Sequence, residues 1–175
     1  ARKNEKDFFA RKNLENAANA IAFIAKADST ARLIEHPEIE QLSKLFAAYR
    51  DVFTTVKNKM VEMGLTPTSG AYGSLRDAVR EVEALVKQAQ STDLTATILL
   101  VRRHEKDYML RGDDKYVDET RKTVTVLISK VNSSGLPPAT KATILQKIET
   151  YSQNFTLFVN LTKEIATLTD TFRKS

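Results

Sequence analysis

The chain lacks cysteine and tryptophan, and its 175 residues hold five glycines and four prolines. Without cysteine there is no disulfide, no thiolate nucleophile and no zinc–thiolate site, although the compartment is left open. Scarce glycine and proline beside abundant Ala, Leu, Glu, Lys and Arg favour helix over strand. No stretch alternates apolar and polar residues for long enough to argue a strand. The longest apolar stretch, around residues 17–25, is interrupted by Asn19 and falls far short of the ~20 residues that span a bilayer. No Gly-rich phosphate loop, no His/Glu metal spacing and no nucleophile with an identifiable base is present, and the two histidines, His36 and His104, are 68 residues apart. No catalytic residue, metal ligand or cofactor is therefore expected. The net charge is +5, yet basic residues alternate with acidic ones and no basic run exceeds three. A nucleic-acid binder gathers its Lys and Arg on one face, so no nucleic-acid partner is expected.

What remains is helical periodicity. Residues 1–31 read as one alanine-rich helix with Ala10, Leu14, Ala17, Ile21 and Ile24 along its seam, ended by His36-Pro37. The cleanest pattern follows: Ile39, Leu42, Phe46, Tyr49, Phe53, Val56, Met60 and Met63 recur at alternating spacings of 3 and 4, with Gly64 as a C-terminal cap. Tyr49 and the methionines read as core. Thr66 to Gly73 reads as a loop. Third and fourth helices carry Leu75, Ala78, Val82, Leu85 and Ala89, then Leu94, Ile98, Val101, Glu105 and Tyr108, with Ser91-Thr92-Asp93 as a cap or break. Beyond Gly112, either Asp113 or Asp114 caps a fifth helix or the fourth continues through a kink. Ser133 to Pro138 is a turn, and the last helix carries Ile144, Ile148, Tyr151, Phe155, Phe158, Thr162, Ile165 and Phe172.

The expectation is an all-α fold, an up-down helical bundle. Helix lengths at ~1.5 Å per residue favour two stacked four-helix bundles sharing long helices, one from about residues 12–101 and one from about 1–11 plus 102–175.

A repeated motif lies at the centre of this layout. Arg102-Arg103-His104-Glu105-Lys106-Asp107-Tyr108-Met109-Leu110-Arg111 matches residues 2–11 at an offset of 100, with Arg2, Glu5, Lys6, Asp7 and Arg11 identical to their counterparts. Stepping ~100° per residue from Glu105 puts Arg102, Val101, Tyr108 and Met109 within about 60° of it, and Arg103 and Asp107 on the opposite side. The same wheel turns Arg2, Glu5, Phe8 and Phe9 inward. Two readings stay open. In one, each arginine pairs with the glutamate three residues on and fixes helix register. In the other, the arginines await the carboxylate of a small ligand, which a guanidinium binds through paired, charge-assisted hydrogen bonds.

Met63-Gly64-Leu65, Ser69-Gly70, Gly73-Ser74-Leu75-Arg76, the segment Arg76 to Glu83 and the Arg102 to Val117 motif together resemble the sensor region of bacterial methyl-accepting chemotaxis proteins. The order of motifs is similar to the helical bimodular type. The resemblance spans most of the chain, and its specific part is Arg-Arg-x-Glu-Lys-Asp-aromatic. It implies a periplasmic domain of an inner-membrane receptor, excised from between transmembrane helices and homodimeric in the full receptor. In that arrangement residues 12–101 form the membrane-distal bundle and the remainder the membrane-proximal one. It implies binding of a small organic acid without catalysis, with Arg2 and Arg102 on the first and fourth helices and Tyr151 on the last as ligand-holding positions; the helical wheel adds Glu5, Glu105 and Tyr108 of the inward sets to the expected ligand-binding residues. The chain departs from the pattern in being shorter and in starting at the first motif. The competing expectation is a helical scaffold that docks a periplasmic protein or dimerises without a small molecule.

Overall fold

A computed structural model describes residues 1–174, with side chains described as far as Thr171. Seven helices account for the structure, and no strand occurs among the described residues: α1 Arg2–Arg11, α2 Leu14–Ala31, α3 Ile39–Met63, α4 Gly70–Gln88, α5 Thr92–Arg111, α6 Asp114–Ser133 and α7 Pro138–Lys174. The fold is an all-α helical bundle, as the periodicity predicts. No described helix is long and apolar enough to cross a membrane.

The long first helix is in fact two. Lys12 adopts a left-handed conformation (φ 54°, ψ 33°) with its N–H on the Phe8 carbonyl, and Asn13 starts α2 by accepting from the Glu15 N–H at 2.8 Å. An asparagine side chain that can cap offers the backbone an alternative to continuing the helix. The seam is accordingly interrupted: Ala17 and Ile24 are buried, whereas Ala10 and Leu14 are exposed. The second copy of the motif ends the same way. Gly112 takes φ 68° with its N–H on the Tyr108 carbonyl, and Asp113 accepts from the Lys115 N–H at 3.0 Å, so α5 and α6 are separate helices.

Two further details concern glycine. Gly64 caps α3 at φ 114°, as its place after Met63 predicts. Gly73, expected in a loop, lies inside α4. A Cβ there would fall 2.6 Å from the Thr68 carbonyl carbon, so this glycine admits the preceding loop against the helix.

The described residues form two compact units. The first comprises Ala1–Leu65 and the chain from Leu161 on, the second Thr66–Asn160. In the first, α1 packs on α2 and α2 on α3, around Phe8, Ala17, Ala20, Phe53, Val56 and Met60. Phe8 meets the edge of Phe53 at 5.8 Å between ring centroids. Burying each ring contributes ~1.5–3 kcal/mol, and the small Ala17 and Ala20 leave room for them. Ile165 and Leu168 of α7 pack against this core. Phe172, expected in the same seam, has a side chain outside the described residues. In the second unit α4 packs on α5 and α5 on α6. The initial part of α7 completes it through Ile144, Ile148, Tyr151 and Phe155, all buried.

Candidate functional site: a basic groove on α5 and α6

The repeat divides its six expected site residues between the two units. Arg2 and Glu5 belong to the first unit; Arg102, Glu105, Tyr108 and Tyr151 belong to the second. Each copy builds a small polar cluster within its own unit, in which an arginine, the glutamate three residues on and a tyrosine from another helix interact.

In the first unit the tyrosine is Tyr49 of α3, whose hydroxyl donates to Glu5 Oε2. Burial, then the hydrogen bond and charge of Glu5, raise the Tyr49 hydroxyl well above its ordinary range, with Arg2 opposing. Arg2, expected on the inward face, is exposed.

In the second unit the burial follows the wheel more closely. Tyr108 is 2% exposed and Glu105 5%, while Met109 is half-buried and Arg103 exposed. Tyr108 packs edge-on against Phe155 at 6.0 Å and Phe158 at 6.4 Å, and Tyr151 stacks on Phe155 at 6.1 Å. The arginine does not pair with the glutamate on its own helix. Arg102 Nη1 donates to both oxygens of Glu83 on α4, at 2.8 and 2.9 Å. Glu105 instead interacts with Tyr151 of α7. The two lie close enough to feel each other's charge, yet Glu105 Oε2 and Tyr151 Oη complete no hydrogen bond of normal geometry among the described residues. Burial pushes the Glu105 carboxyl up to about 7, with the Glu83 charge adding and Tyr151, Arg102 and Lys106 opposing. Burial also raises the Tyr151 hydroxyl, and the charge of Glu105 adds to it.

Outside this cluster an open groove of about 780 Å³ runs along α5 and the first turns of α6. Arg102, Arg103, Lys106, Arg111 and Lys115 line it, against the carboxylates Asp107 and Glu119. Two of those cations flank one ring: Arg111 Cζ lies 5.5 Å and Lys115 Nζ 4.8 Å from the Tyr116 centroid. Asp107 is shared at long range by Arg103 (4.0 Å) and Arg111 (3.7 Å), and such exposed pairs are worth ~1 kcal/mol or less, so these cations can exchange partners. His104 Nδ1 stands 3.1 Å from Glu119 Oε2, though off hydrogen-bond geometry. Of the expected residues only Arg102 reaches the groove; Glu105, Tyr108 and Tyr151 are core residues behind it.

The sequence pattern did not single out Glu83, Lys115, Tyr116 or Glu119. Glu83 sits beside the apolar stripe Val79, Val82, Val86, which is the one signal that it borders the interior. Tyr49 was readable only as one more seam residue. Among the described residues no group of His, Asp and Glu is placed to hold a metal ion.

Neither family models, nor curated proteins, nor solved structures gave a significant match to this chain.

Proposed function

We propose that this chain is the extracytoplasmic sensor domain of a chemoreceptor, and that it recognises a small organic acid in the α5–α6 groove and signals by helix displacement. The observation that carries the reading is the gathering of Arg102, Arg103, Lys106, Arg111 and Lys115 on one groove of the second unit. A carboxylate placed there gains charge-assisted hydrogen bonds from Arg103, Arg111 and Lys115, whose present partners are weak and solvent-screened, and competes with Glu83 for Arg102. The resemblance of the Arg102 to Val117 motif to the helical bimodular sensors of methyl-accepting chemotaxis proteins supports the same reading. With that resemblance come a periplasmic location, two stacked bundles and a homodimeric receptor. Arg102 joins the groove to the interior, since its guanidinium is tied to α4 through Glu83. A ligand that competes for it shifts the α4–α5 contact, and it signals only if its affinity differs between the two arrangements.

Titration calorimetry with a panel of mono-, di- and tricarboxylates tests this. Arg102→Ala is expected to weaken binding about tenfold or more, the loss of a charge-assisted bond of ~1.5–3 kcal/mol. Glu83→Gln, which releases the guanidinium from its internal competitor, is expected to tighten it. Unchanged affinity in Arg102→Ala removes the site.

A second reading has its own observations. Arg102 is already held by Glu83, and Phe23, Leu33, Ile34 and Leu45 of the α2–α3 region are exposed, between 53% and 83%. Exposed apolar side chains on neighbouring elements favour a scaffold that docks a protein or dimerises. On that reading no small acid raises the thermal midpoint, because none binds the folded state.

A further inference from the structure

A second cavity, of about 300 Å³, lies between α6 and the first half of α7, wholly inside the second unit and sharing no residue with the α5–α6 groove. Helical spacing builds it. Thr120 and Val124 on α6, and Tyr151 and Phe155 on α7, are pairs one turn apart, and all four are buried, so they form its floor. One residue further round each helix stand the rims, Arg121 and Thr125 on one side and Ser152 and Thr156 on the other, which are exposed or half-buried. The floor is largely apolar and aromatic: the Tyr151 and Phe155 rings stack at 12° with 6.1 Å between centroids. The Tyr151 hydroxyl interacts with Glu105 of α5.

The polar groups of the cavity divide by what they can still do. Thr120 Oγ1 donates to the Tyr116 carbonyl at 2.7 Å, Thr125 Oγ1 to the Arg121 carbonyl at 3.1 Å and Ser152 Oγ to the Ile148 carbonyl at 2.9 Å. A hydroxyl has one proton, so these three keep only acceptor lone pairs for a ligand. Arg121 is the opposite, since a guanidinium can only donate, and it holds no ion pair among the described residues. A carboxylate, which can only accept, meets one cation on the rim and lone pairs elsewhere. A ligand that suits the whole set has a flat apolar body for the floor and one group that both donates and accepts. We propose that the α6–α7 cavity binds a small uncharged aromatic molecule bearing one hydroxyl, of the phenol class. Its ring lies against Val124 and Phe155, its O–H donates to the hydroxyl of Thr125 or Ser152, and its oxygen accepts from Arg121. The site is separate from the α5–α6 groove, so the inference does not rest on the function proposed above.

The test is an NMR titration of the full 175-residue chain with phenol itself. Saturable amide shifts are expected on residues 120–128 and 151–156, with residues 99–119 unmoved. Anisole, which keeps the ring and oxygen but has no proton to give, is expected to bind about three- to tenfold more weakly, the worth of one hydrogen bond. Benzoate is expected to leave the α6–α7 amides in place. A double variant, Thr125→Val with Ser152→Ala, removes both rim acceptors at positions that helix tolerates, and is expected to bring phenol down to the affinity of anisole. Phenol shifts that do not saturate or that centre outside the cavity overturn the site. Anisole or benzoate binding there as tightly as phenol overturns the ligand class, and neither comparison depends on a variant that folds. Phenol bound at the cavity in a chain that takes no acid on residues 99–119 supports this inference while removing the function proposed above.

Discussion

Positions 5 and 105 hold the same residue of the repeat, but Glu5 is half-buried and accepts from Tyr49, whereas Glu105 is buried without a completed bond. The difference has a sign that can be measured. A carboxyl raised to about 7 in the folded state keeps its proton at pH values where the unfolded chain has lost it. Its contribution is therefore neutral below the unfolded value near 4.5, grows more unfavourable as pH rises, and levels off above 7, a span of about 3 kcal/mol. Glu105→Gln is expected to remove most of that slope, raising the urea midpoint at pH 8 and leaving it little changed at pH 4.5. Tyr49→Phe in the first unit is expected to cost about 1–2 kcal/mol, since it leaves Glu5 without its donor. The rotation argument could place Glu105 and Tyr108 inward and Arg103 outward, because one helix decides which face is buried. It could not choose the partner of Arg102. The assignment to Glu83 rather than Glu105 is made by the packing of α4, which a single-helix wheel does not contain.

At the scale of the element, the repeat is more than a string of matched residues. Both copies run helix, left-handed residue, Asx cap, helix, with Lys12-Asn13 in one and Gly112-Asp113 in the other. An L-residue at φ 54° carries strain of ~1–2 kcal/mol that glycine does not, so Lys12→Gly is expected to stabilise by up to about 1 kcal/mol. Gly112→Ala is expected to destabilise by a similar amount although open space surrounds the position, because the cost lies in the backbone. Chemical denaturation of the two variants side by side checks both signs. The break in the first copy was hidden because Lys12-Asn13 contains neither Gly nor Pro; the aligned Gly112-Asp113 was the available clue. Gly73 misled in the opposite direction, since a close-approach glycine and a loop glycine look alike in sequence. α3 was legible in extent and along its seam from Phe46 to Met63, but near its start Leu42, expected in the seam, is exposed and Ser43 is buried beside it.

For the molecule as a whole, the lack of period-two alternation and the scarcity of Gly and Pro were enough to give an all-α bundle, because helix needs only local hydrogen bonds and one apolar stripe. The groove was not legible in the same way. Lys115, Tyr116 and Glu119 come to it from α6, and only the turn at Gly112 brings their helix beside the motif. The central claim is that this basic groove takes a carboxylate. Four of its five cations, Arg103, Lys106, Arg111 and Lys115, are exposed, so binding should weaken as added salt screens them, a trend that calorimetry at several ionic strengths would show. The most direct test is a nitrogen-15 NMR titration of the whole chain with organic acids, following backbone amides and arginine side chains together. The account predicts saturable shifts gathered on residues 99–119, led by Arg102, and lost in Arg102→Ala. Saturable shifts centred elsewhere, or none with any acid, would contradict it.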